Sequence, residues 1–312
     1  PLLSKDLYHY FPEPLRQAYP EAIEQHRLRR EIIATYIANS MVNRVGPTFV
    51  ASMVSQTGAE PADVARAYTV TREAFGLRSL WAEIEALDFQ VPAQAQLEMM
   101  VAVGRVVERV TLWFLRNTRS PLDISPCTEE FGPAVQTVHD LLGDLLPRSE
   151  TKELRRRERF YLKQGVPEAV AYRVAALPVL AAACDIWTIA RSSGREVEAV
   201  GRIYFVLGDR FQLGWLREAA ADVGTSGRWA KMAATAAIDN LFAHQRELTR
   251  RVLDTAEAGA APRRAIDGWI AEHHGAVERT EELLKEIQQA DSLELSMLMV
   301  ADDQIRWLTE EG

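Results

Sequence analysis

Apolar residues return every three or four positions through most of the chain, and glycines and prolines punctuate the runs. Ile33, Tyr36, Ile37, Met41 and Val45 fall on one helical face, and Gly46 follows where a helix end favours a residue that tolerates a left-handed backbone. Residues 48–57 make a second short unit closed by Gly58. Pro61 stands where a first helical turn accepts it, ahead of a stripe of Val64, Ala67, Tyr68, Thr71 and Phe75 that stops at Gly76. Leu77, Leu80, Trp81, Ile84 and Leu87 continue the spacing. Pro92 then opens a longer helix through Leu97, Val101, Val106, Val110, Trp113 and Leu115.

The same reading predicts an amphipathic run to Leu146 and helices over residues 149–164, 228–256, 262–289 and 292–308. Between them lie a stripe of Val197, Val200, Ile203, Tyr204 and Val206 and a further one over residues 211–221. No alternating β-branched run bounded by hairpin turns occurs, and no repeat of constant period. The expected fold is all-α, a multi-helix array of short and long helices without a sheet. Residues 117–128 (NTRSPLDISPCT) hold turn residues and two prolines with little periodicity, which suggests a boundary between two packed helical subdomains, residues 1–120 and 121–312.

The apolar stretch at residues 174–190 (VAALPVLAAACDIWTIA) is shorter than the roughly 20 residues of a membrane span and carries Pro178 and Asp185. It is expected as a helix at the centre of the core, with no membrane partner. Composition supports a globular chain: 312 residues, 47% hydrophobic and 26% charged. A net charge of −8 repels phosphate backbones and anionic lipid, so nucleic acid is a poor partner. Two cysteines without a CxxC pair, Cys127 and Cys184, suit a reducing compartment, and with no secretory signal in view the expectation is cytoplasmic. Pro1 in place of a methionine suggests a piece of a longer protein.

Reactive chemistry is hard to find. No GxGxxG turn is present, and Gly224-Thr225-Ser226-Gly227 lacks the ending of a phosphate loop; a linker with Ser226 as an N-cap fits it better. None of the six histidines has a glutamate three residues before it, and adjacent His273 and His274 point apart on a helix. No metal ligand set is expected. Cys184 reads as a small buried hydrophobe and Cys127 as a loop thiol without a neighbouring histidine. Asp185 stands out, because a carboxylate inside an apolar helix must face outward or find a hydrogen-bond or ionic partner, and a structural partner is the expectation ahead of a catalytic role. Residues 47–75 can also be read as a helix-turn-helix with Arg66 and Arg72 on its second helix, although Glu60 and Asp63 at the start of that helix would repel DNA.

Several runs resemble a known family. HRLRREIIATYIANSMVNRVGPTFV (residues 26–50), DVARAYTVTREAFGLRSLWAEIEALD (63–88), LRNTRSPLDI (115–124) and VGRIYFVLGDRFQLGWLR (200–217) are similar, in order and spacing, to the C-terminal helical region of the large bacterial NAD-specific glutamate dehydrogenases. The resemblance implies a parent enzyme that oxidatively deaminates L-glutamate to 2-oxoglutarate and ammonia with NAD. It carries no catalytic, cofactor or metal residue onto this chain, whose implied role is assembly or regulation beside the remaining domains of the parent, in a homo-oligomer. The last helix fits that role. Leu293, Met297, Val300, Ile305 and Leu308 make one apolar stripe, while Leu295, Met299 and Trp307 lie partly on another side, open either to core burial or to a subunit interface. An independent binding module, reaching DNA through residues 47–75, is the alternative.

Overall fold

The computed structural model describes residues 3–223, 227–257, 259–290 and 292–311, and places eighteen helices and no strand among them. The first eight are α1 (Ser4–Tyr10), α2 (Glu13–Ala18), α3 (Pro20–Glu24), α4 (Arg29–Val45), α5 (Phe49–Thr57), α6 (Pro61–Ala74), α7 (Leu77–Glu85) and α8 (Ala93–Asn117). Then come α9 (Ile124–Leu145), α10 (Arg148–Lys163), α11 (Glu168–Leu180), α12 (Ala183–Ser193) and α13 (Val197–Arg210). The last five are α14 (Leu213–Val223), α15 (Arg228–Thr255), α16 (Pro262–Glu272), α17 (His274–Gln288) and α18 (Leu295–Glu311). The sequence accounts for many of these ends: Gly58 and Gly76 adopt φ of 69° and 60°, a conformation that an L side chain resists. The Ser226 position falls outside the described residues.

Contacts divide the chain into two compact units, residues 1–136 with 156–184, and residues 137–155 with 185–312. In the first unit α6 and α8 pack on each other and are flanked by α4, α5 and α7. Met99, Val103, Val106, Val110 and Phe114 bury one face of α8, each such side chain contributing about 1.5–3 kcal/mol on leaving water. Trp113, Phe114 and Phe131 meet edge to face at 5.1–5.5 Å. The turn-rich segment after Asn117 lies inside this unit: Leu122 is buried, and the Ser120 hydroxyl donates to Asp63 of α6. That bond holds the Asp63 carboxyl below its usual range, against the effect of burial and with help from Arg66.

In the second unit α15 is the hub, in contact with α13, α14, α16 and α18. Its buried stripe runs Ala234, Ala237, Leu241, Gln245, Leu248 and Val252, a helical spacing with one amide among the apolar groups. Asn240 donates to Asp302 on α18 at 2.9 Å, and the His244 imidazole one turn on lies 3.2 Å from the same carboxylate. Two glycines a heptad apart let α13 receive large neighbours. A Cβ on Gly201 would come within 2.9 Å of Leu145, and one on Gly208 within 2.3 Å of the Gln245 amide nitrogen.

Two expectations change, and a segment for which none was stated is helical. Residues 3–25, where prolines obscure the spacing, hold three short helices, two of them with proline in the first turn. The apolar stretch at 174–190 is two helices separated at residues 181–182, three residues beyond Pro178, which removes a main-chain donor from α11. No single described helix is long and apolar enough to cross a membrane. The helix expected over 262–289 breaks at His273, whose ring nitrogen Nδ1 lies 2.7 Å from the Trp269 carbonyl while the imidazole stacks on the Trp269 indole at 4.7 Å.

The fit of Gly208 against Gln245 is open to test. Gly208→Ala is expected to lower stability by about 1–3 kcal/mol in urea unfolding. Gly143→Ala on α9, where an added methyl meets nothing within 4 Å, should change it by under about 1 kcal/mol, in the stabilising direction. Equal effects would remove the packing explanation.

Candidate functional site

The second unit buries a polar cluster built around the aspartate singled out by sequence. Asp185, in the first turn of α12, is 1% exposed. The Tyr204 hydroxyl of α13 donates to its Oδ2 at 3.3 Å and the Arg246 guanidinium of α15 to its Oδ1 at 3.2 Å. One residue away on α15, Gln245 donates through Nε2 to the Tyr204 main-chain carbonyl and accepts through Oε1 from Arg217 of α14, both at 2.8 Å. The Arg217 guanidinium also lies 4.0 Å over the Phe242 ring. Burial lowers its pKa from the ordinary arginine value, and Tyr204, Glu150 and Asp185 oppose that effect.

This arrangement ties α12, α13, α14 and α15 together. Asp185 faces a phenol and a guanidinium, as the expectation of a structural partner requires, and its bonds run to two other helices of the unit. Sequence reasoning missed Arg217, Gln245 and Gly208. The available signal was the phase of Gln245, in register with Leu241 and Leu248, and the seven-residue spacing of Gly201 and Gly208.

The first unit buries a separate ionic cluster that sequence did not indicate. Asp6 of α1, fully buried, accepts from Arg72 at 2.8 Å and from Arg78, and Glu73 accepts from the same two arginines at 2.8 and 2.6 Å. Arg72 is therefore held in the interior at 1% exposure, and Arg66 pairs with Asp63 at 2.8 Å. The helix-turn-helix reading needs both arginines on an open face, but α6 buries Val64, Ala67, Tyr68, Val70 and Thr71 as well as Arg72.

The remaining candidates disperse. Cys184 is buried, and burial with Glu130 and Asp123 nearby pushes the Cys127 thiol pKa up, away from a reactive thiolate. His274 pairs with Glu278 within its own helix, and among the described residues no three His, Cys, Asp or Glu side chains converge as a metal site would require. On α18 the buried stripe is Leu298, Ala301, Ile305 and Leu308; Val300, expected on that stripe, is 53% exposed. Leu295 is half-buried, Met299 is 59% exposed, and Trp307 lies half-buried under the Arg279 guanidinium at 4.9 Å. A cavity of about 300 Å³ between α17 and α18 is lined by Leu283, Ile287, Met297 and Val300, with Glu286 and Ser296 at its polar parts.

Residues 1–307 match the family model described as glutamate dehydrogenase, C-terminal. The chain belongs to this family. It is 33% identical over 311 residues to an NAD-specific glutamate dehydrogenase of Pseudomonas aeruginosa and 33% identical over 287 residues to one of Halomonas elongata, covering 99% and 92% of the chain. A relative with the same description from Mycobacterium tuberculosis is 29% identical over 308 residues, 99% of the chain. The chain spans only 18–19% of the length of these relatives. Within this glutamate dehydrogenase C-terminal region, the run at residues 200–217 that carries part of the sequence resemblance supplies Gly201, Tyr204, Gly208 and Arg217 to the interior of the second unit.

Asp185→Ala is expected to destabilise the chain by about 2–4 kcal/mol, because Arg246 and Tyr204 lose a buried acceptor. Chemical denaturation followed by circular dichroism measures it. A loss below about 0.5 kcal/mol would show that the cluster does not bind the helices together.

Proposed function

We propose that this chain is the non-catalytic helical C-terminal region of an NAD-dependent glutamate dehydrogenase, supporting assembly or regulation of a parent enzyme that oxidatively deaminates L-glutamate to 2-oxoglutarate and ammonia. The observation that carries the proposal is coverage. A family defined as the C-terminal part of glutamate dehydrogenase matches nearly the whole chain, which amounts to about a fifth of its relatives' length. NAD belongs, on this reading, to the remaining domains of the parent, which are also the chain's first partners.

The interior chemistry supports a mechanical role. Asp185, Tyr204, Gln245 and Arg217 turn their polar atoms toward one another, and a group engaged in this way is not poised to exchange protons with a substrate. Met299 and Val300 of α18 are uncovered, with Val300 lining the α17–α18 cavity, and offer a flexible apolar surface suited to another subunit or to the rest of the polypeptide. Two free cysteines, one of them buried, agree with a cytoplasmic setting.

The purified 312-residue chain, mixed with L-glutamate and NAD, is expected to give no NADH absorbance above a blank. Formation of NADH by this chain alone would overturn the non-catalytic reading. Light scattering of the same sample checks self-association: a mass of two or more copies that falls toward one in Met299→Glu supports a subunit contact at α18, whereas a strict monomer at high concentration removes self-assembly from this region.

A further inference from the structure

The chain's excess of negative charge sits in one of its two units. Residues 137–155 and 185–312 carry 26 acidic against 18 basic side chains, while the first unit carries 18 of each, so the net −8 belongs to the second. Over α17 and α18, eight acidic residues outnumber three basic ones. Part of this excess rims the cavity between those helices, whose walls are the apolar Leu283, Ile287, Met297 and Val300. Glu286 lines it and is exposed, as is Glu282 one turn earlier. Exposed Glu294 accepts from Ser296 of the cavity wall at 3.3 Å. None of the three carboxylates makes an ion pair among the described residues. An apolar centre with a charged rim is the layout of a protein docking surface, and the sign of the rim repels phosphate and anionic lipid.

The same chain displays the complement. Seven basic and three acidic residues make up the charges of α10. Within the first unit, Arg156, Arg159, Phe160 and Lys163 fall at spacings of three and four on the exposed face of this helix, and Phe160 is 41% exposed. Arg159 and Lys163 make no ion pair among the described residues. These two cations stand four residues apart on a helix, as Glu282 and Glu286 do, so both pairs have the same spacing of about 6 Å along their axes.

We propose, on the reading of this chain as an assembly region, that α10 of one copy docks on the α17–α18 groove of a second. Phe160 enters the apolar cavity, and Arg159 and Lys163 meet Glu282 and Glu286. The occupant is a second copy because both halves of the match stand on one chain, and both are exposed. Opposed charges around an aromatic anchor set the register of the contact and keep water from its centre.

Light scattering and sedimentation of the 312-residue chain test the pairing. The wild type is expected to form a dimer or larger assembly, and its dissociation constant to rise about tenfold between about 0.05 and 0.5 M salt. Arg159→Glu with Lys163→Glu, and separately Glu282→Lys with Glu286→Lys, bring like charges together. Each doubly substituted chain is expected to be monomeric with an unchanged circular dichroism spectrum. An equimolar mixture of the two is expected to recover the wild-type mass, because α10 of either chain then meets a groove of opposite sign. A wild-type assembly that both variants keep would overturn this pairing and leave the assembly reading standing. Loss in both variants without recovery in the mixture would also overturn it. A wild-type chain that stays monomeric at high concentration and low salt would remove self-assembly from this region, and the pairing with it.

Discussion

In an array made only of helices, main-chain hydrogen bonding is satisfied almost entirely inside each helix, so the register of one helix against another rests on side chains. Apolar stripes bring helices together but tolerate sliding and rotation. A buried polar pair does not, because displacement leaves a donor or acceptor without a partner in a medium where that is costly. Each unit of this chain has such a set: Asp6 with Arg72, Arg78 and Glu73 in the first, and Asp185 with Tyr204 and Arg246 in the second. The glycines belong to the same logic. Gly208 admits the Gln245 amide against α13, and that amide in turn bonds the Tyr204 carbonyl and the Arg217 guanidinium.

These sets explain how a chain of the glutamate dehydrogenase C-terminal family can bury ionisable groups in its interior. Burial of a carboxylate or a guanidinium is often a sign of catalysis, because desolvation moves proton affinity toward useful values. Here the same desolvation is met by partners drawn from other helices of the same unit, and the result is cohesion. Uncovered apolar side chains lie elsewhere, Met299 and Val300 among them, with Val300 lining the α17–α18 cavity. Internal ionic ties and an adaptable outer face suit a region whose relatives are about five times its length.

The sequence was most legible where a single residue governs a backbone conformation. Glycines ended helices at Gly58 and Gly76, and prolines opened α6 and α16. It was less so at 262–289, where the helix breaks at His273 with its ring nitrogen beside the Trp269 carbonyl that its own main-chain N–H already bonds, and no periodicity announces that. On α18 the expected stripe holds at Ile305 and Leu308 and fails at Val300. Leu298 and Ala301 are buried there instead, because the hydrophobic pattern of that helix is broad enough to accept more than one inward face.

Asp185 marks the limit between the two kinds of information. That a carboxylate in an apolar run needs a partner follows from the cost of burying charge and can be read from the chain alone. Its partners, 19 and 61 positions further on, cannot, since nothing local distinguishes Tyr204 and Arg246 from other tyrosines and arginines. The sequence by itself determined the helical class, the family and the need for buried charges to be paired. Only the tertiary structure decided which residues pair and that Arg72 faces inward, because such contacts depend on the packing of whole helices, and local spacing does not encode it.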